Sequence, residues 1–600
     1  MRPVLLYDGE CRFCCRWIER WKVATGDRVD YFTAQSSKEN FPNIPEDAYG
    51  EAVQWIGEDG SHCAGAQAIF RALATSTMRG RTLLWAYQTI ALFRWITDAV
   101  YRLVAKQRMF FSLLTRWLWG SDIRPPSFAF SSWLFLRLLG VCYLVAFLSY
   151  WHQAEGLSGD HGIVPAAEFF DYARKALGDQ AFSQLPSLCW WGADSAALVI
   201  WSAVGVMASV LLIAGVFPTA CLVVSWAVYL SLCVAGEIFY GYQWDALILE
   251  VGFLAIFFAP LSVRPALWGG APSRAGRFLL MWLLFRLMFS SGIVKLASGD
   301  PTWANATALD FHYFTQPLPT PLAWFMQQLP AWFQALSVRG MFFVELVLPF
   351  FLFAPGRLRL IAAAGLMALQ VLIALTGNYG FFNLLSLALC LLAIDDAAWR
   401  RLRIPISPRP ARNVPRFILY PVAVALIALS MVPFLGTVGW RTPEWLGECY
   451  AKVAPFRSMN GYGLFAVMTT QRKEIIVQGS DDGFTWKTYT FRYKPGDPHR
   501  APPWVAPYMP RLDWQMWFAA LGDIKGNPWF VRFLQRLQQN SPAVVALIET
   551  NPFPDKSPKY LRAQWDDYRF TTMAEKKETG DWWKAEPAGV YCPEVSLGGE

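Results

Sequence analysis

The sequence predicts a multidomain chain: an α/β domain at the amino terminus, a polytopic α-helical membrane bundle, and a β-rich soluble domain at the carboxyl terminus. Three observations carry that expectation. Apolar runs fill the middle of the 600-residue chain, which is 54% apolar with 30 Trp, 44 Phe and 16% charged residues, too greasy for an ordinary soluble protein. A Cys-x-x-Cys pair, Cys11 and Cys14, stands where the apolar run Val4 to Leu6 gives way to helical periodicity. Near the other end, residues 474–493 alternate apolar and polar side chains on both flanks of an Asp-Gly turn, a strong hairpin signal.

The first element is YDGECRFC, residues 7–14. A cysteine pair opening a helix is reactive because the helix dipole and free amides stabilise a thiolate on the first sulfur, lowering its pKa below the free value of about 8.5. Cys11 is then the attacking sulfur and Cys14 the resolving one, with Tyr7, Asp8 and Gly9 forming the turn that presents them. The same spacing serves as half of a zinc site, but that needs a second pair at ligand spacing. Cys15 is adjacent to Cys14, and Cys63 stands alone beside His62. No metal or cofactor is therefore expected, and the alternatives to a redox dithiol are a metal half-site or an inert relic.

YDGECRFC, the segment Ser61 to Ala68 (SHCAGAQA) and the closing Val100 to Arg108 (VYRLVAKQR) resemble the DCC-type thiol-disulfide oxidoreductases. The resemblance implies a thioredoxin-like fold over residues 1–122, with strands near Pro3 to Tyr7, Val29 to Phe32 and Ala52 to Ile56 and helices after Cys11 and Gly65. One departure stands out: no proline immediately precedes the Ala52 strand, where a cis-proline usually faces the dithiol. A reducing cytoplasm would hold the pair as a dithiol. A reductase or electron-relay role, with a cytoplasmic thiol reductant or thiol protein as partner, follows.

Nine runs are read as spans across a hydrocarbon core of about 30 Å: Phe130 to Tyr150, Ala196 to Val216, Thr219 to Ala235, Trp244 to Leu261, Phe278 to Leu296, Met341 to Ala354, Leu358 to Leu375, Phe381 to Ile394 and Phe417 to Leu435. They define a membrane domain over residues 127–437, entered at the breaker pair Pro125-Pro126. The chain start, interrupted by Asp8 to Cys14, does not read as a cleavable signal, which places the amino-terminal domain in the cytoplasm. Basic residues agree with that placement. Arg94, Arg102, Lys106, Arg108, Arg116 and Arg124 precede the first span; Arg264, Arg274, Arg277, Arg357 and Arg359, then Arg400, Arg401, Arg403, Arg409, Arg412 and Arg416, fall on later inside loops. The loop from Trp151 to Asp194 is acidic. Much of the net charge of +8 is thus accounted for by topology, and no nucleic-acid partner is expected.

Arg137, Asp245, Glu250, Arg286, Lys295 and Glu345 lie within spans. A charge at a span centre costs about 2.5–3.5 kcal/mol on insertion scales and needs a partner or water. Glu250, Arg286 and Glu345 are candidates for a proton or substrate path. The plainer reading is interhelical pairing, for example of Glu250 with Arg286, while Asp245 and Lys295 stand close enough to span ends to snorkel. Cys142, Cys221, Cys233 and Cys390 read as small packing residues.

Gly241 to Ala255 (GYQWDALILEVGFLA), Phe285 to Asp300, Leu375 to Leu385 and the loop Thr307 to Pro321 resemble the lipase maturation factor family. The likeness runs from about residue 130 almost to the end. It implies that residues 440–600, beyond the last span, form a soluble domain that engages an exported client protein. Blocks at Arg511 to Ala520, Pro528 to Phe530 and Asn551 to Asp555 continue the match. Aromatics of this domain are either core or, where exposed, a binding surface. Cys449 and Cys592 form a possible disulfide if the compartment is oxidising.

The reading that follows is a chaperone-like folding or maturation factor for exported proteins, with a lipase as the client the resemblance implies, embedded in the bilayer with its dithiol domain cytoplasmic and its carboxyl-terminal domain periplasmic or lumenal. A bacterial inner membrane is the expected location, or the endoplasmic reticulum in a eukaryote. Two rivals stand beside it: a thiol oxidoreductase relaying electrons across the membrane through span cysteines, and a transporter or membrane-bound enzyme lined by Glu250, Arg286 and Glu345.

Overall fold

A computed structural model describes residues 2–37, 40–41, 44–120, 123–263, 273–406 and 412–596. Arg264 and Arg409 of the charge argument lie outside them. The chain divides into two compact units, one of residues 1–127 with 354–360, the other holding the rest.

The first unit is built on a four-stranded sheet of β1 (Val4–Tyr7), β2 (Asp30–Thr33), β3 (Gln54–Ile56) and β4 (His62–Ala64), in the order β2-β1-β3-β4. β1 pairs parallel with β2 and antiparallel with β3, which pairs antiparallel with β4. The parallel pair needs a crossover, and α1 (Arg12–Thr25) supplies it. Leu5 of β1 meets Ile18 of α1, Val29, Trp55, Ala68 and Ala72 in one core. β4 escapes sequence reading because His62-Cys63-Ala64 has no β-branched or aromatic residue. The chain then turns at Gly65, whose φ of 68° suits a residue without Cβ, into α2 (Gly65–Ala74). Beyond the short helices Ala34–Ser37 and Glu46–Glu51, the unit carries three longer ones: α3 (Met78–Thr89), α4 (Ala91–Lys106) and α5 (Arg108–Trp119).

All nine apolar runs are helical in the second unit: α6 (Ala129–Trp151), α7 (Ser195–Ala214), α8 (Pro218–Ala235), α9 (Gln243–Phe258), α10 (Arg274–Ala297), α11 (Ala331–Phe351), α12 (Gly356–Thr376), α13 (Phe382–Leu391) and α14 (Arg416–Thr437). Seven of them are long and apolar enough to cross a membrane. The reading of about nine spans is thus met by seven helices of sufficient length among the described residues. α9 has 16 residues and α13 has 10, or roughly 24 and 15 Å at 1.5 Å per residue, short of a hydrocarbon core of about 30 Å. Both are buried among the longer helices, so their polar backbone ends need protein partners rather than lipid headgroups.

The carboxyl-terminal region carries an antiparallel sheet of β5 (Arg472–Ser480), β6 (Lys487–Thr488), β7 (Tyr560–Phe570) and β8 (Trp583–Val595), ordered β6-β5-β7-β8. The hairpin forms, but its second arm is β6 alone: past Thr488 the chain leaves the sheet, and β5 pairs along its whole length with β7. Helices α15 (Arg511–Ala520) and α16 (Pro528–Gln538) make the region mixed rather than β-rich. Their Leu512, Met516, Phe530 and Phe533 share a core with Val477 and Leu561 of the sheet and with Leu157, Ile163 and Phe239 from loops of the bundle.

That shared core locates the region on the bundle. Arg511 N–H donates to Gln153 just beyond α6, Asn460 reaches the start of α9, and the Val505 amide donates to Asn378 before α13. At the bundle's opposite end, Asp396 accepts the amides of Ala129 and Phe130 at 3.0 and 3.1 Å, closing the start of α6, and Arg277 donates to the Leu392 carbonyl.

Candidate functional site

The dithiol turn is fixed by Asp8. Its Oδ1 accepts from the Glu10 amide and from Gln35 Nε2, each at 3.0 Å, while its Oδ2 lies 3.4 Å from Arg108. Gly9 donates its amide to Gln35, and a Cβ there would stand 2.7 Å from Thr33 Cγ2. Tyr7 closes β1 and packs on the sheet core. Cys11 is the N-cap of α1: its sulfur accepts the Cys14 amide at 3.4 Å. It therefore sits at the positive end of a 14-residue helix, the place where a helix stabilises an attacking thiolate.

Cys14 is placed differently. It borders an apolar cavity of about 460 Å³ lined by Phe13, Trp17, Phe70, Tyr101 and Phe111, with Asp8 and Arg108 as charged neighbours. Burial raises the Cys14 thiol well above its ordinary range, its hydrogen bond with Cys11 raises it further, and the Arg108 charge opposes both. The direction favours the protonated thiol at Cys14. Cys15 has another task, donating its thiol to the Gly9 carbonyl at 3.2 Å. Cys63 is also pushed up by burial, and the described residues hold no cluster able to bind a metal ion.

Sequence reasoning missed Gln35 and Tyr101. The Tyr101 hydroxyl accepts the Val53 amide at 3.0 Å, so the backbone entering β3 beside the dithiol is already engaged. The signal was available: Phe93, Thr97, Tyr101 and Val104 form the inward stripe of α4 at helical spacing.

In the second unit the span charges meet as pairs. Glu250 binds Arg286 and accepts the Asn460 amide and the Tyr462 hydroxyl, both at 2.8 Å. Lys295 Nζ lies 2.8 Å from Glu345. Asp245 takes the Arg511 guanidinium at 2.9 and 3.1 Å and the Tyr229 hydroxyl at 2.5 Å. Asp245 and Lys295 therefore do not snorkel: they are 1% and 5% exposed, each against its own partner. A fourth knot, Arg472 with Glu474 and Lys494, also ties in the loop carbonyls of Phe314, Gln316 and Pro317. Every carboxylate proposed for a path is thereby engaged.

The cysteine expectations divide likewise. Cys142, Cys221, Cys233 and Cys390 are buried free thiols, and Cys221 donates to the Val216 carbonyl. Cys449 and Cys592 are not paired: Cys449 is exposed on the helix Glu444–Val453, whereas Cys592 is buried in β8 opposite Ala563. Most carboxyl-terminal aromatics are core, among them Trp514, Trp529, Phe530 and Trp583, while Phe484 at the hairpin tip is 90% exposed and Trp504 is 56% exposed.

Three family models match. A lipase maturation factor transmembrane domain covers residues 130–401, a lipase maturation factor C-terminal domain residues 458–593, and a DCC1-like thiol-disulfide oxidoreductase residues 5–113. Lipase maturation factor 2 of Homo sapiens is 34% identical, over 78% of this chain and 82% of its own length. The Gallus gallus protein of the same name is 33% identical over 78% and 81%, and lipase maturation factor 1 of Bos taurus 31% over 79% and 90%. No solved structure matches.

Proposed function

Because this chain belongs to the lipase maturation factor family, we propose that it is a membrane-embedded maturation factor for exported proteins, a lipase among them, with an attached thioredoxin-like dithiol domain. The observation that carries this is joint: the similarity to the lipase maturation factors runs through the spans and the carboxyl-terminal region together, and those two regions share one folded unit. The bundle holds the carboxyl-terminal region at one end, where the hairpin turn exposes Phe484 and the loop before α15 exposes Trp504 to a client. Arg274, Arg277, Arg400 and Arg401 cluster toward the opposite end, which supports a cytoplasmic face there and an export compartment for the client-binding side. The dithiol then works on the cytoplasmic side, Cys11 attacking a partner disulfide and Cys14 releasing it, so that the partner is reduced and the pair oxidised.

Deleting residues 440–600 is a poor test, since it would take Arg511 from buried Asp245 and the Asn460 and Tyr462 bonds from the buried Glu250–Arg286 pair. The full chain should instead be expressed in cells secreting a lipase, with active lipase measured per mass of lipase protein. An increase of several-fold, reduced by Phe484→Ala with Trp504→Ala at unchanged thermal stability, supports the reading. No increase over cells lacking the chain removes it. A Cys14→Ser variant should accumulate a mixed disulfide that disappears when Cys11→Ser is added; absence of any trapped species removes the redox half.

A further inference from the structure

Helices α4 and α5 turn apolar side chains outward. On α4, Leu92, Trp95, Ile96, Val100 and Leu103 fall on one helical face and are all exposed, Leu92 at 65% and Trp95 at 66%. On α5, Met109, Phe110, Leu113 and Trp117 do the same, Met109 at 81%. The inward faces, with Thr97, Tyr101, Val104, Phe111, Leu114 and Leu118, line the cavity beside Cys14, which Ile96 and Val100 also border, so that Leu92, Trp95 and Leu103 of α4 are the stripe residues wholly outside it. Contiguous exposed patches of this size mark interaction surfaces.

Two observations say what covers this one. Basic residues edge the stripes: at 100° per residue Arg102 and Lys106 fall along one flank of the α4 stripe, and Arg116 beside that of α5. The unit also includes residues 354–360, the start of α12, a helix able to cross a membrane. There Gly356 lies so close to the end of α5 that a Cβ would stand 2.3 Å from the Leu118 carbonyl oxygen. The patch belongs to helices standing beside the entry of a span.

We propose that α4 and α5 lie in the headgroup region of an anionic lipid leaflet, their apolar stripes at the acyl boundary and Arg102, Lys106 and Arg116 among the lipid phosphates. Apolar stripes with basic edges are the pattern of interfacial helices, and phosphate attraction adds to apolar burial on an anionic surface. The dithiol is then held at the membrane surface rather than free in the cytoplasm.

The test uses the full chain in lipid nanodiscs of phosphatidylcholine with phosphatidylglycerol, and in phosphatidylcholine alone. Photo-cross-linking p-benzoylphenylalanine replaces Leu92, Leu103, Met109 or Leu113 in turn, with exposed Val23 of α1 as the control position. Mass spectrometry should find phospholipid adducts at the four stripe positions, several-fold more with phosphatidylglycerol present and several-fold more than at Val23. Combined Arg102→Glu, Lys106→Glu and Arg116→Glu should lower the yield several-fold while the Cys11–Cys14 pair still titrates as in the parent, which shows the unit folded. Adducts to protein instead of lipid, yields equal to those at Val23, or yields indifferent to phosphatidylglycerol would each overturn the proposal.

Discussion

Charge in the bundle and sulfur in the dithiol turn are treated in opposite ways. Glu250 spends its carboxylate on Arg286, the Asn460 amide and the Tyr462 hydroxyl, and Asp245 spends its own on Arg511 and Tyr229. Cys11 accepts one amide and stays half-buried at a helix start. An ionisable side chain inside a span invites a functional reading, but chemistry needs a group with unspent capacity. By that criterion the dithiol is the reactive centre we propose, and the span charges are joints. Two of these joints, Asp245–Arg511 and Glu250–Asn460, join the bundle to the carboxyl-terminal region, which explains why the two fold as one unit.

The hardest blow to this contrast is Arg511→Met. The guanidinium is fully buried, gives two bonds to Asp245 and one to the Phe239 carbonyl at 2.6 Å, and stacks over Tyr240. Removing it strands a buried carboxylate, a loss of about 3–5 kcal/mol. Thermal unfolding of the purified protein should shift markedly downward, and protease should release the carboxyl-terminal region from the bundle. Arg511→Met with Asp245→Leu should recover much of the loss, because buried pairs are replaceable by apolar ones of similar volume. If Arg511→Met unfolds like the parent, the joint holds nothing.

A smaller effect probes the same seam through pH. His312, on the short helix Leu309–Thr315, packs edge-on against Phe465 at 4.8 Å and lies 3.5 Å from the Tyr379 hydroxyl. Burial first, and the Lys295 charge second, lower its pKa from 6.5 to about 4. The unfolded chain then binds a proton that the folded chain refuses, so stability is complete above pH 6.5 and declines as pH falls toward 4. The ring is partly exposed, and the discounted loss is on the order of 2 kcal/mol. Unfolding midpoints measured across this range should fall less steeply with acid in His312→Gln. Equal slopes would remove His312 as the cause.

The sequence carried the local features of this architecture better than the long-range ones. Nine apolar runs announce nine helices because hydropathy is local, and YDGECRFC announces a capped dithiol because strand, turn and helix lie within fourteen residues. Glu250 and Arg286 were paired in advance because adjacent helices supply few candidates. Arg511 was not foreseen as the partner of Asp245, 266 residues earlier: neither residue's surroundings name the other, and Asp245 near a span end looked free to reach water. The short α9 and α13 were counted as spans because periodicity does not show where a helix stops being long enough. Tyr101 and the outward stripes of α4 and α5 lay inside a region read as soluble, where an amphipathic helix is expected to bury its apolar face.

The smallest predicted change in stability is the most informative for the contrast. Serine is among the preferred N-cap residues, and its Oγ can take the Cys14 amide that the Cys11 sulfur now accepts. Cys11→Ser should therefore leave the unfolding midpoint nearly unmoved, within about 0.5 kcal/mol, while abolishing thiol exchange outright. If the bundle and carboxyl-terminal region assist the client by holding it, cells carrying this variant should keep part of the gain in active lipase, whereas Arg511→Met should lose nearly all of it. A loss from Cys11→Ser as deep as that from Arg511→Met, with folding intact, would make electron transfer the essential act and the joined regions its support.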